Sequence, residues 1–333
     1  MYKRQLLGSK VASNKNLAIT IDVIAILTTV FGVTTSLGLG TVQISAGLNH
    51  VFEINENFIN QLIIIAFITS IGLVSVSLGL DSGIKKLSQI NMVLAISLLL
   101  FIFILGPTIF IINALIQNFG AYLNTLIQSA TWTEVYNDTS WQNGWTLFYY
   151  AWWFAWAPFV SLFIARISYG RSIKEFIIGV LFVPSAIVFI WMGVFGNAAI
   201  YQVINETSQI SEMVNSNLPV ALFTLFDVYP IAQFLSILSL ILIVTFFVTS
   251  SDSGALVASM LSSKSQSDIN DDSPMLSRIT WAILLGVLAA VLLYAGGLTA
   301  LQTSVVITGV PFALIVVFAC KQFLKSLKEE IIN

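Results

Sequence analysis

Ionisable, redox-active and metal-binding side chains are scarce in this sequence, and each scarcity removes a class of function. Charged residues make up 9% of the chain and hydrophobic residues 57%. A soluble domain with so little charge could not keep its surface in water, so the composition points to an all-α integral membrane protein. The one cysteine, Cys320, excludes an intrachain disulfide and reads as a small apolar filler. The one histidine, His50, falls between apolar runs and reads as a solvated loop residue. No HExxH or GxSxG motif occurs, so the familiar layouts of a membrane-embedded hydrolase are missing and no enzyme is expected. Eight residues follow Lys325, and no cytoplasmic output domain of a receptor is expected there.

Long hydrophobic runs are abundant. Eight are long enough to cross a bilayer, at about residues 17–38, 58–80, 88–115, 144–168, 173–200, 231–257, 277–297 and 299–324. All 14 lysines and arginines fall on one side of the resulting topology: Lys3, Arg4, Lys10 and Lys15 before the first run, Lys85 and Lys86 after the second, Arg166, Arg171 and Lys174 after the fourth, Lys264 and Arg278 after the sixth, and Lys321, Lys325 and Lys328 at the end. By the positive-inside rule that side is cytoplasmic, so the chain reads as a multi-pass protein of the inner (plasma) membrane with both of its termini inside. Its expected partner is the lipid bilayer, not nucleic acid. Segments 41–57, 117–142 and 201–229 hold acids but no bases and are expected outside, together with the sequons at Asn137 and Asn205. Within them Phe119 to Ser129 has an amphipathic pattern expected to lie on the membrane surface, and Leu218 to Phe226 is short and apolar. Neither is expected to span.

The run Gly144 to Arg171, GWTLFYYAWWFAWAPFVSLFIARISYGR, is more aromatic than aliphatic in its first half. Six of the eight tryptophans lie between Trp132 and Trp156. At about 100° per residue, Trp145, Tyr149, Trp152, Trp156 and Phe163 share one strip of a helix, with Phe148 and Phe159 on one flank and Trp153 rotated to the other. Pro158 leaves the carbonyl of Phe154 without its helical donor, an opening tolerated in mid-membrane only against protein or water. Tryptophans are also common as interfacial anchors. Trp152, Trp153 and Trp156, however, lie roughly 10 to 17 Å along the axis from Trp145, too deep for one interfacial belt. A desolvated cation gains about 0.5 to 2 kcal/mol per aromatic face, which suits a quaternary ammonium group that cannot hydrogen-bond.

This run, extended through SIKEFIIGVLFVP, together with TVFGVTTSLGLGTVQISAGLN, FFVTSSDSGALVAS and AGGLTALQTSVVITGVPFAL, resembles the betaine/carnitine/choline transporters, secondary carriers of trimethylammonium compounds. The resemblance covers almost the whole chain. It implies a leucine-transporter-like inverted-repeat fold with substrate near the bilayer midplane. The family has twelve membrane helices, and the motifs place the eight runs as its fifth to twelfth. The chain is therefore expected to be a single transporter domain lacking its first four helices: 17–115 holds the last three helices of the first repeat and 144–324 the five of the second. The absent third helix faces the tryptophans in the family, and the absent fourth contributes further aromatics. The resemblance assigns substrate binding to Trp152, Trp153 and Trp156, with Trp145 and Phe148 beside them, and implies a homotrimer.

Hydroxyls at Thr249 and Ser250, in the run VTSSDSG, are oxygen donors that suit a hard cation, although such side chains also bond back to their own helix. The resemblance makes them part of a sodium site, with Phe246 beside them. A second sodium site is implied at Thr29 and Phe159, but Val33 stands where the family has another threonine. Arg166 and Asp252 are a candidate cytoplasmic gate pair. The expected function is sodium-coupled import of glycine betaine, choline or carnitine for osmoprotection, with Na⁺ as coupling ion and no cofactor. An amino-acid symporter of another inverted-repeat family, or a proton-coupled choline carrier, is the alternative.

Overall fold

The computed structural model describes residues 13–78, 85–136, 138–263 and 273–332, and of these the backbone alone at 76–78, 85, 166, 167 and 330–332. Lys3, Arg4, Lys10, Asn137 and Lys264 lie outside the described residues. The described residues form helices and connecting turns, with no strand among them. The helices are α1 (Lys15–Phe52), α2 (Phe58–Leu78), α3 (Lys85–Leu105), α4 (Thr108–Ala130), α5 (Phe148–Ile167), α6 (Ile173–Ile204), α7 (Ile210–Ser216), α8 (Ala221–Phe226), α9 (Ala232–Ser262) and α10 (Met275–Ile332). A π-helical turn, Gln142–Leu147, leads into α5, and a second, Ile178–Phe182, interrupts α6.

The post of the bundle is α1. Asn14 caps its start by accepting from the Leu17 N–H, and Glu53 ends it in the left-handed conformation at φ 58°. Its 38 residues span about 57 Å at about 1.5 Å per residue, well beyond the hydrocarbon core. The helix therefore continues through 41–52, a stretch expected as loop. Glycine, serine and threonine made that stretch look loop-like, but packing overrides their weak helix propensity. A Cβ at Gly40 would overlap the Phe247 ring, and one at Gly47 would overlap Phe223 and come 2.7 Å from Leu240, so small residues let α8 and α9 close on α1.

Two further boundaries differ from the expected runs. The third stops at Leu105, because Pro107 has no N–H to continue the helix and disfavours helical geometry at Gly106. Residues 108–115 instead join α4, whose 23 residues make it long and apolar enough to cross a membrane, unlike the short surface pattern expected from 119. Hydropathy averages straight across such a break. The last two runs fuse into α10 but stay distinct, with non-helical backbone at Gly296 and Gly297, the latter at φ 58° and ψ −137°, a conformation that requires glycine. This break falls where the sequence separated 277–297 from 299–324.

Neighbours of α1 run against it. Thr28 and Thr35 donate to the carbonyls of Thr308 and Leu301, at 2.9 and 3.0 Å, so the second half of α10 is antiparallel to α1. Val33 meets Gly254, and Gly40 meets Phe247, which makes α9 antiparallel as well. Gly286 packs on Thr69, while the rings of Phe58 and Tyr294 lie 5.2 Å apart, pairing α2 with the first half of α10. The start of α1 and the end of α10 therefore lie at the same end of the bundle.

Candidate functional site

Site geometry begins with a close approach between two backbones. A Cβ on Gly32 would stand 3.0 Å from the Cβ of Ala155 and 3.2 Å from its carbonyl, so α1 and α5 nearly touch there. Gly309 does the same for α10, where a Cβ would overlap the carbonyl oxygen of Ala151. The buried Gly32 carbonyl then accepts from three side chains: Trp152 Nε1 and Trp156 Nε1, each at 3.3 Å, and Ser36 Oγ at 3.1 Å. Three donors on one oxygen make each bond long, yet together they fix both indoles edge-on to α1. No spare N–H is left on either ring, and what remains for a ligand is the aromatic face.

The expected strip is built from stacked neighbours. Phe148 and Trp152 stack with centroids 5.3 Å apart and planes at 20°, and Trp145 stacks on Tyr149 at 6.0 Å and 11°. Tyr149 tilts onto Trp152 at 5.9 Å, and Trp141 and Trp132 prolong the series beyond Trp145. Trp156 belongs to a second pair, edge-on to Phe159 at 5.4 Å. Phe148 and Phe159 are buried, Trp152 and Trp156 half-buried. Trp153 stands apart with 72% of its surface exposed, and Tyr150 beside it is 62% exposed. No described helix covers that face.

The proposed ion ligands divide in the same way. Thr249 Oγ1 donates back to the carbonyls of Phe246, at 2.9 Å, and Thr245, at 3.1 Å, which is the local bonding that the sequence left open. Its oxygen keeps lone pairs but no free proton. Ser250 is half-buried beside it, while the Phe246 side chain is 43% exposed. On α1, Thr29 is 1% exposed and its hydroxyl has no hydrogen bond among the described residues, which is costly for a buried polar group. Val33, 1% exposed, is packed against Gly254 and offers no oxygen. Thr29 therefore fits a hard cation, and Thr249 fits one through its lone pairs alone.

The gate pair is half described, since the Arg166 side chain lies outside the described residues. Asp252 is 1% exposed, with Ser75 and Arg278 as the groups that act on its carboxyl, and its Oδ2 has no hydrogen bond among the described residues. Sequence reasoning missed Ser75 and Arg278, because nothing in their spacing signals Asp252.

A sequence profile described as "BCCT, betaine/carnitine/choline family transporter" matches residues 2–332. The chain is 40% identical over 324 residues to a glycine betaine transporter of Acinetobacter baylyi, covering 97% of this chain and 48% of that one. It is 41% identical to a glycine betaine/proline/choline/ectoine transporter of Vibrio parahaemolyticus, covering 93% and 55%, and 38% identical to a high-affinity choline transport protein of Escherichia coli, covering 93% and 46%. The chain thus spans about half the length of the curated relatives it matches. With a profile matching residues 2–332 and relatives at this identity, the chain belongs to the betaine/carnitine/choline family of transporters.

Proposed function

We propose that this chain forms the aromatic half of a secondary carrier that imports a quaternary ammonium osmolyte, glycine betaine or choline, across the plasma membrane with sodium. The observation that carries the reading is the fixing of Trp152 and Trp156 through their N–H groups to Gly32, which leaves these two rings π faces but no spare donor. A trimethylammonium group needs no donor and binds such faces. Trp153 and Tyr149 on α5, and Trp145 in the turn before it, stand open where helices preceding this segment in the relatives would pack. Trp152, Trp153 and Trp156 are the proposed substrate ligands, with Phe148 and Trp145 supporting them. On this reading 17–115 closes the first repeat, 144–324 is the second, and the side bearing the lysines is cytoplasmic.

Thr249, Ser250 and Phe246 are proposed at one sodium site and Thr29 with Phe159 at the other. Each ion moving inward would supply about 2.3 kcal/mol per 100 mV of membrane potential. Coupling is needed for betaine, a zwitterion on which the potential does no net work. The enclosed Thr29 hydroxyl, without a hydrogen bond among the described residues, supplies one oxygen toward a sodium ion. The test is uptake by a chimera that joins the preceding helices of the Acinetobacter baylyi relative to this chain, with labelled betaine, choline, carnitine and proline. Sodium-dependent uptake of the trimethylammonium compounds is expected; uptake of proline alone would move the chain to the amino-acid alternative.

A further inference from the structure

His50 is not a solvated loop residue. It occupies the last turn of α1, and its Nε2 lies 3.0 Å from Asp227 Oδ1 across 177 residues of sequence. Its ring packs 6.0 Å from the ring of Phe223, which is fully buried on α8 and leaves no space for a side chain at Gly47. Asp227 is the residue that ends α8. The contact therefore joins the far end of the central post to the segment between α6 and α9. That segment is not a floating loop: Ile210, Phe223, Leu225, Phe226 and Tyr229 are each at most 8% exposed. Gln202 also donates to the Leu225 carbonyl at 2.9 Å from α6.

We infer that His50 is a positioning residue that, through its bond to Asp227, clasps α8 onto the end of α1. Apolar packing of Phe223 and Phe226 supplies most of the adhesion but is non-directional. The His50–Asp227 bond supplies a geometry, at the place where the segment turns from α8 into α9. Both side chains are partly exposed, at 24% and 48%, so the bond is weak enough to open without unfolding the helices behind it. Its breaking would let α8 lift from Gly47 while α1 stayed in place. The consequence for transport, a cover that opens and shuts over one end of the bundle, rests on the function proposed above; the clasp itself does not.

The test reads labelling instead of uptake. In detergent micelles, with Cys320→Ser as background, a reporter Thr224→Cys on α8, 7% exposed, is compared with an exposed reference Ser211→Cys on α7. The ratio of their maleimide rates measures the lifting of α8. His50→Leu keeps the bulk against Phe223 and removes the donor, and the ratio is expected to rise about 2- to 5-fold, the scale of a partly exposed polar pair. Asp227→Ala should do the same, and the two together should do no more than either alone. His50→Gln, whose amide can donate to Asp227, should return the ratio toward wild type. A ratio unchanged in both His50→Leu and Asp227→Ala overturns the clasp, and a rise in His50→Gln equal to that in His50→Leu assigns His50 to packing alone. Should His50→Leu fail to fold, Asp227→Ala against His50→Gln makes the same decision.

Discussion

Replacing Gly309 by alanine tests whether the approach of α10 to α5 sets the tryptophan site. A helical Gly→Ala change in open space gains about 1 kcal/mol, because glycine loses more backbone freedom on folding. At Gly309 the added methyl overlaps the carbonyl oxygen of Ala151 and lies 3.1 Å from its carbonyl carbon and 3.3 Å from its Cα. All three are backbone atoms of α5, with no flexible side chain to swing aside. Overpacking of this kind costs about 1 to 3 kcal/mol, so the clash equals or exceeds the gain. The control is Gly196→Ala on α6, where a Cβ would meet nothing within 4 Å and the full gain should appear. Chemical unfolding in micelles, followed by tryptophan fluorescence, should place Gly309→Ala below Gly196→Ala by about 1 to 3 kcal/mol. Equal or greater stability for Gly309→Ala would refute the reasoning and mean that α5 does not rest on α10 at this point.

Other outcomes follow from the same geometry. Gly297→Ala places a side chain at φ 58°, ψ −137°, and should cost about 1 to 3 kcal/mol in the same unfolding assay; no loss would contradict the break. In the chimera, Thr249→Ala with Ser250→Ala should raise the sodium concentration for half-maximal uptake; an unchanged sodium curve would put the site elsewhere. Thr29→Val removes an enclosed hydroxyl without a hydrogen bond among the described residues, so it should be near-neutral or stabilising in micelles yet weaken sodium dependence in the chimera, and a large loss of stability would contradict the orphan assignment. With Cys320→Ser as background, a cysteine at Asn205 should react with an impermeant thiol reagent from outside and one at Lys328 should not; the reverse pattern would invert the proposed topology.

Features carried by a local pattern were legible in the sequence. Apolar runs announced the membrane helices, the division between 277–297 and 299–324 fell at the break at Gly296 and Gly297, and the tryptophan spacing put Trp145, Tyr149 and Trp152 on the strip where they meet. What escaped depended on partners far along the chain. The extension of α1 through Gly40 and Gly47 is decided by Phe247 and Phe223, and no local signal separates such small residues from a loop. Pro107 cuts a run whose hydrophobicity does not change, so composition joined 88–105 to 106–115. His50 took the default for a polar residue between apolar runs, since Asp227 is invisible to any window around it. The Gly32 carbonyl, which organises two of the three proposed substrate tryptophans, has no side chain to notice.

The central claim is that the tryptophans bind a charge through their faces, and one comparison isolates that charge. Replacing the ammonium nitrogen of betaine by carbon gives a tert-butyl carboxylate of nearly equal shape, which keeps the apolar contact and loses the cation. The measurement is competition by each compound against labelled betaine uptake in the chimera, with tryptophans intact and with Trp156→Leu. The aromatic cage predicts a preference for betaine of about 1 to 3 kcal/mol, most of it lost in Trp156→Leu. Equal affinity for the two compounds, or an equal loss for both in Trp156→Leu, would contradict it and leave the tryptophans as packing.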